Sequence, residues 1–174
     1  MLAQLVPAAA PRDRDAMIEE QGGLYREEFL ASVRAFPHVR ELFEALQHEG
    51  RKIAIATDCE KSEFAHYLAI AQIEDLADAY ACGDDVRRGK PHAAVVELAL
   101  KRARAAGKHC VMIGDTPSDA EAARRAGIAP LGVLTGHFSE ADLRDAGCVD
   151  VRRDPAALLE AFEAACAARA RGAA

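Results

Sequence analysis

Short apolar runs alternate with helical segments along most of this chain, and that alternation limits the fold more than any other feature. "KIAIAT" (52–57), "DAYACG" (78–83), "HCVMIG" (109–114) and "APLGVLTG" (129–136) each read as a strand. Such a run, with no polar alternation, suits a strand buried on both faces of a parallel sheet. Between the runs lie helical patterns at 61–71, at 91–106 with Pro91 in the first turn, and from Pro117 to Ala126, closing on Gly127. Strand and helix in repeated turn give βαβ units, so the expected fold class is α/β, a doubly wound parallel sheet.

The flanks add helices. Residues 13–35 read as one helix, weakened by Gly22-Gly23, and Phe36-Pro37 breaks it. "HVRELFEALQHEG" places Val39, Leu42, Phe43 and Leu46 on one face and ends at Gly50. Ser139 is positioned to cap a short helix, and Asp154 to cap a last one from Pro155 that is expected to fray in "ARARGAA". At 174 residues the chain suits one domain with a small appendage.

A net charge of −6 with no block of like charges argues against nucleic acid or an anionic membrane as partner. Cys59, Cys82, Cys110, Cys148 and Cys166 form no CxxC pair and are odd in number, which reads as free thiols of a cytoplasmic protein. No run approaches the roughly 18 apolar residues of a membrane span. "MLAQLVPAAA" has no basic start and is interrupted by Pro7, so it reads as no export signal.

Ligands of doubly wound sheets bind beyond the carboxyl ends of the strands. Thr57 and Asp58 follow the first strand. A hydroxyl there can donate to a phosphate oxygen beside a helix N-terminus, or the pair can be a turn and cap. Lys90, in "RRGKPH", can neutralise phosphoryl charge or hold a carboxylate ionised, or it can be a solvated lysine. Asp115 ends the third strand and Asp119 lies in the next helical turn. Both can reach one Mg²⁺, a hard cation that takes carboxylates, or both can serve the helix N-terminus, where Thr116 and Pro117 already make a good start.

Taken in order, strand-Thr, then Gly-Lys-Pro, then strand-Gly-Asp-x-x-x-Asp resembles the haloacid dehalogenase-like superfamily, most closely its phosphoglycolate-phosphatase-like branch. "IAIAT" is similar to the family's motif II, "GKP" to motif III and "IGDTPSDAEAARRAGI" to motif IV. "FPHVRELFEALQHEG" and "GVLTG" fit the same branch, and the likeness covers about residues 24–160. The resemblance implies a Rossmannoid core and phosphatase chemistry on a small phosphorylated substrate through an aspartyl-phosphate. It implies that Thr57 and Asp58 bind substrate, that Lys90 and Thr57 act on the phosphoryl charge, and that Asp115 and Asp119 hold Mg²⁺. A homo-oligomer stays open.

One family element is missing. Motif I, a strand running into Asp-x-Asp-Gly-Thr that bears the nucleophile, has no counterpart. The Asp-x-Asp at Asp13-Arg14-Asp15 follows "VPAAAPR" and continues "AMIEE"; Pro7 and Pro11 would each remove a ladder donor from a central strand. Residues 1–36 resemble the remnant of a helical cap and its hinge, and 37–174 a core without its motif I strand. By that likeness the chain begins inside the cap, through a mis-called start, a real truncation or a fragment, and the gap is filled by Leu2 to Val6, by closure of the edges, by another chain or by nothing stable. Two functions follow: a phosphatase whose nucleophile lies outside this chain, or a catalytically inactive binding or assembly protein. A nucleotide-binding module is disfavoured, because no GxGxxG or GxxxxGK[ST] occurs.

Overall fold

The computed structural model describes residues 11–105 and 107–172. The chain divides into two compact units after Arg34. In the first, helix α1 (Pro11–Leu24) runs into a π-helical turn (Tyr25–Phe29) and a 3-10 turn (Leu30–Ser32). One continuous helix over 13–35 is therefore not what forms. The backbone widens and then tightens, and Val33 is already extended at φ −61°, ψ 137°. The expected role of Leu2 to Val6 as a strand lies outside the described residues.

The second unit carries the α/β repeat. Helix α2 (Val39–His48) leads to strand β1 (Ala54–Ala56), α3 (Lys61–Ala71) and β2 (Ala79–Ala81). Helix α4 (Ala94–Arg102), β3 (Val111–Gly114), α5 (Pro117–Arg125) and β4 (Ala129–Val133) follow. Helix α6 (Glu140–Asp145), β5 (Asp150–Arg152) and α7 (Pro155–Gly172) complete it. The helix ends follow local chemistry. Gly50 at φ 67° lets its N–H meet Gln47 O (2.8 Å) while Arg51 N–H meets Leu46 O (2.9 Å), closing α2. Ser139 Oγ accepts from Asp142 N–H, and Asp154 Oδ1 from Ala157 N–H at 2.9 Å. Helix α7 continues through Gly172 rather than fraying before it.

All strand pairs are parallel, but they make two ladders: β1 with β2, and β3-β4-β5. Both ladders rest on one apolar layer. Val95, Val96 and Ala99 of α4 pack with Ala81 of β2 and with Ala122, Ala123 and Ile128; Ala56 of β1 and Met112 of β3 close on the same cluster. Small alanines on α5 let the helix sit near the strands, and a second cluster of Ala120, Leu143 and Cys148 anchors α6. Burying one Val there is worth about 1.5–3 kcal/mol.

Three expectations need correction. Strand β3 is not buried on both faces: Val111 is 57% exposed and Ile113 42%, because among the described residues β3 has no neighbour on the side away from β4. Pro91 is not in a first helical turn, since the Lys90–Pro91 bond is cis and α4 begins at Ala94. Strand β5 was not anticipated, because "DVR" is short and polar.

Candidate metal and phosphate site

Thr57, Asp58, Asp115 and Asp119 stand just past the carboxyl end of a strand or in the helical turn beyond it, and Lys90 lies in a turn before α4. Thr57 follows β1; its N–H donates to Ala81 O of β2 (3.0 Å), which fixes the backbone. Its hydroxyl donates to Cys59 Sγ (3.0 Å) and accepts from Cys59 N–H (3.3 Å). Sulfur is a weak acceptor, so a phosphate oxygen would compete well for that proton. Burial pushes the Cys59 thiol up from its ordinary value, so it stays neutral near pH 7.

Lys90 is the hub. Its ammonium lies 2.8 Å from Asp119 Oδ1 and 3.3 Å from Ala56 O. Its backbone N–H is shared between Asp58 Oδ1 (3.1 Å) and Oδ2 (3.2 Å). An ammonium has three protons, and the third has no partner among the described residues. The side chains of Lys90 and Asp119 are only 15% and 9% exposed, so water screens the pair little.

Asp119 is held from both sides. Its Oδ2 accepts from Thr116 N–H (3.1 Å) and Thr116 Oγ1 (2.7 Å), while Asp119 N–H donates back to Thr116 Oγ1 (3.1 Å). The capping alternative and the charge-holding role are thus both realised in one carboxylate. Asp115 sits at the end of β3, where Thr135 Oγ1 donates to its Oδ2 (3.3 Å). Two glycines keep these acids in place. A Cβ on Gly136 would lie 2.8 Å from Asp115 Oδ2, and one on Gly114 would overlap the Asp119 side chain.

Lys90, Asp58 and Asp119 are therefore joined by direct contacts. Thr57 lies one residue beyond the carbonyl that Lys90 meets, where its hydroxyl bonds Cys59, and Asp115 lies four residues before Asp119, where it bonds Thr135. Thr116 caps α5 as the sequence suggests, while Thr135 and the glycines carry supporting roles that sequence reasoning does not assign. Only the fold shows which carboxylate Thr135 of "GVLTG" faces. Beside Asp58, an open cavity of about 400 Å³ is lined by Glu60, Gly83, Asp84, Val86, Arg87 and Gly89.

The donor set fits Mg²⁺. The ion takes carboxylate oxygens and keeps several waters. Asp115 has one oxygen without a partner among the described residues, and Asp119 Oδ1, which meets Lys90, keeps a second lone pair, whereas Asp119 Oδ2 already accepts two bonds from Thr116. A different group, Cys82 with Asp84 and Asp85, brings three donor atoms together. There Arg102 and then Lys61 bind Asp85 and hold its carboxyl well below the usual range, so its charge is already answered.

Known proteins bear on this geometry. The family model described as haloacid dehalogenase-like hydrolase matches residues 2–133. Phosphoglycolate phosphatase of Escherichia coli K12 is 29% identical over 135 residues, covering 73% of this chain and 54% of that protein. A phosphorylated carbohydrates phosphatase of Thermotoga maritima is 32% identical over 114 residues, covering 65% and 53%. The chain thus spans about half the length of these curated relatives. Among solved structures, a hydrolase from Pseudomonas syringae superposes with a TM-score of 0.81 at 29% identity, covering 89% of this chain and 74% of that one. Within the described residues, no helix is long and apolar enough to cross a membrane. With the family model matching most of its length, the chain belongs to the haloacid dehalogenase-like hydrolase family, on its phosphoglycolate-phosphatase-like side.

Proposed function

We propose that this chain is the metal- and phosphate-binding core of a phosphatase for a small phosphomonoester. The observation that carries the reading is the Lys90 ammonium, held by Asp119 and Ala56 O with one proton left to donate. Thr57 Oγ1 and that proton would hold the phosphoryl oxygens, and Asp58 keeps the Lys90 backbone in position. Asp115 and Asp119 are the residues that would hold Mg²⁺; bound there, the ion would neutralise phosphoryl charge. Phosphoryl transfer is chiefly positioning and electrostatics, and these groups supply both. The likeness to phosphatases supports a small phosphorylated substrate.

Hydrolysis through an aspartyl-phosphate needs a nucleophilic carboxylate, and this sequence has no Asp-x-Asp-Gly-Thr. The nucleophile is proposed to lie outside this chain, with residues 1–36 as a cap remnant. An aryl-phosphate assay tests this on two proteins: the chain alone, and the chain preceded by a strand-Asp-x-Asp-Gly-Thr segment with a helical cap. The chain alone should stay at background, and the extended protein should turn over with dependence on Mg²⁺ and Asp115. An extended protein that binds phosphate without turnover would favour the inactive binding reading instead. That second reading rests on the same missing motif.

A further inference from the structure

We propose that Arg125 is a positioning residue for Lys90: from the last turn of α5 it pins the backbone just past the lysine, and so sets where the ammonium is delivered. The consequence for phosphate affinity rests on the phosphate-binding reading; the geometry stands without it. Gly89, Lys90, Pro91 and His92 form one tight turn, closed by the His92 N–H donating to Gly89 O (3.0 Å). A closed four-residue turn moves as a unit, so a bond to one of its backbone groups restrains the lysine as well. On one side the Lys90 N–H donates to the Asp58 carboxylate, at 3.1 Å and 3.2 Å from its two oxygens. On the other side Arg125 Nη1 donates to Pro91 O (2.5 Å). The main chain is therefore held both before and after the Lys90 Cα.

Helix α5 meets this turn twice. Asp119 takes the Lys90 ammonium at 2.8 Å, and Arg125 takes the Pro91 carbonyl. The two residues are six positions apart, which is about 9 Å along a helix. The lysine thus runs along α5, with its backbone tied near the carboxyl end of the helix and its ammonium tied in the first turn. Arg125 is itself oriented. Its Nη2 donates to Glu121 Oε2 (2.9 Å), one turn earlier on the same helix, which leaves Nη1 for the carbonyl. The planar fork of a guanidinium fixes the angle between two such bonds. At 50% and 44% exposure the Arg125–Glu121 pair alone would contribute little, so the bond to the turn is what gives Arg125 its role. Arg124 next to it is a natural contrast, because its Nη1 is spent on Ala146 O (3.2 Å), just past α6. A proton of Lys90 offered to a phosphoryl oxygen keeps its place only while the lysine backbone does, and that is the means by which Arg125 acts.

The test compares the full chain with Arg125→Ala and Arg124→Ala, which lose the same charge from the same helix. Amide hydrogen exchange is followed by NMR, and inorganic phosphate is titrated calorimetrically with Mg²⁺ present. Arg125→Ala should speed exchange of the Lys90 and His92 amides at least about threefold and weaken phosphate by a similar factor, with Mg²⁺ affinity in the absence of phosphate unchanged. The loss of phosphate affinity should persist at about 0.5 M salt, because it comes from position and not from attraction at a distance. Arg124→Ala should leave exchange at Lys90 and His92, and phosphate affinity, at the parent values. Unchanged exchange at Lys90 and His92, or an equal loss of phosphate affinity in Arg124→Ala, would overturn the proposal. So would a rise in exchange at the buried Val95 and Ala122 amides equal to that at Lys90, because the variant would then have lost stability everywhere. A parent chain that binds no phosphate would sink the phosphate-binding reading, and exchange at Lys90 and His92 would then decide this proposal by itself.

Discussion

Lys90 Nζ lies 2.8 Å from Asp119 Oδ1 and 3.3 Å from Ala56 O, so one side chain ties the end of β1 to the start of α5. Among the described residues the two ladders share no backbone pairing, and this buried ion pair is a polar link between them. Removing one partner of such a pair leaves an unanswered charge. Lys90→Met should therefore destabilise the protein by about 3 kcal/mol in urea unfolding, and Asp119→Asn, which keeps an oxygen for Thr116, by less. A loss under about 1 kcal/mol for Lys90→Met would mean the pair is well hydrated.

Gly114 is required by contact rather than by backbone angle, because a Cβ there would collide with Asp119. Gly114→Ala should cost about 1–3 kcal/mol and should weaken Mg²⁺ binding by moving the carboxylate. Gly23→Ala, at a glycine with nothing within 4 Å of an added Cβ, is the control and should leave metal binding unchanged. Equal effects of the two variants on metal binding would contradict the close approach.

Asp85 gives an acid-limb prediction. Arg102 first, and Lys61 next, lower its carboxyl below the ordinary value in the folded state. The folded state thus binds fewer protons than the unfolded one as pH falls through about 4. The contribution is fully present above that value and is lost below it. Asp85→Asn should flatten the decline of the melting temperature between about pH 5 and pH 2 relative to the parent. An unchanged slope would show that the contacts of Asp85 contribute little.

Much of this fold was legible because its signals are local. Residues 61–71 form the anticipated helix, Ser139 and Asp154 cap as expected, and Gly127 at φ 73° ends α5. The strand cores of "IAIAT" and "VMIG" were visible as apolar runs. What failed depended on neighbours distant in sequence. Apolar Val111 and Ile113 read as buried, yet burial needs a strand beside β3 that the described residues do not provide. For the candidate site, residue types singled out Asp115 and Asp119 beside a strand end and Lys90 before a helix. The sequence could not show that Asp119 answers Lys90, because a carboxylate that caps a helix and one that holds an ammonium look alike in one dimension.

Asp115, Asp119, Lys90 and Thr57 are proposed to act as one metal and phosphate site, and the decisive measurement is calorimetric titration of Mg²⁺ into the chain, without and with saturating inorganic phosphate. Phosphate should tighten Mg²⁺ binding. Asp115→Asn should weaken the metal at least about tenfold, and Thr57→Val should abolish the coupling while leaving metal binding without phosphate nearly intact. Mg²⁺ binding that is indifferent to phosphate and unchanged in Asp115→Asn would contradict it.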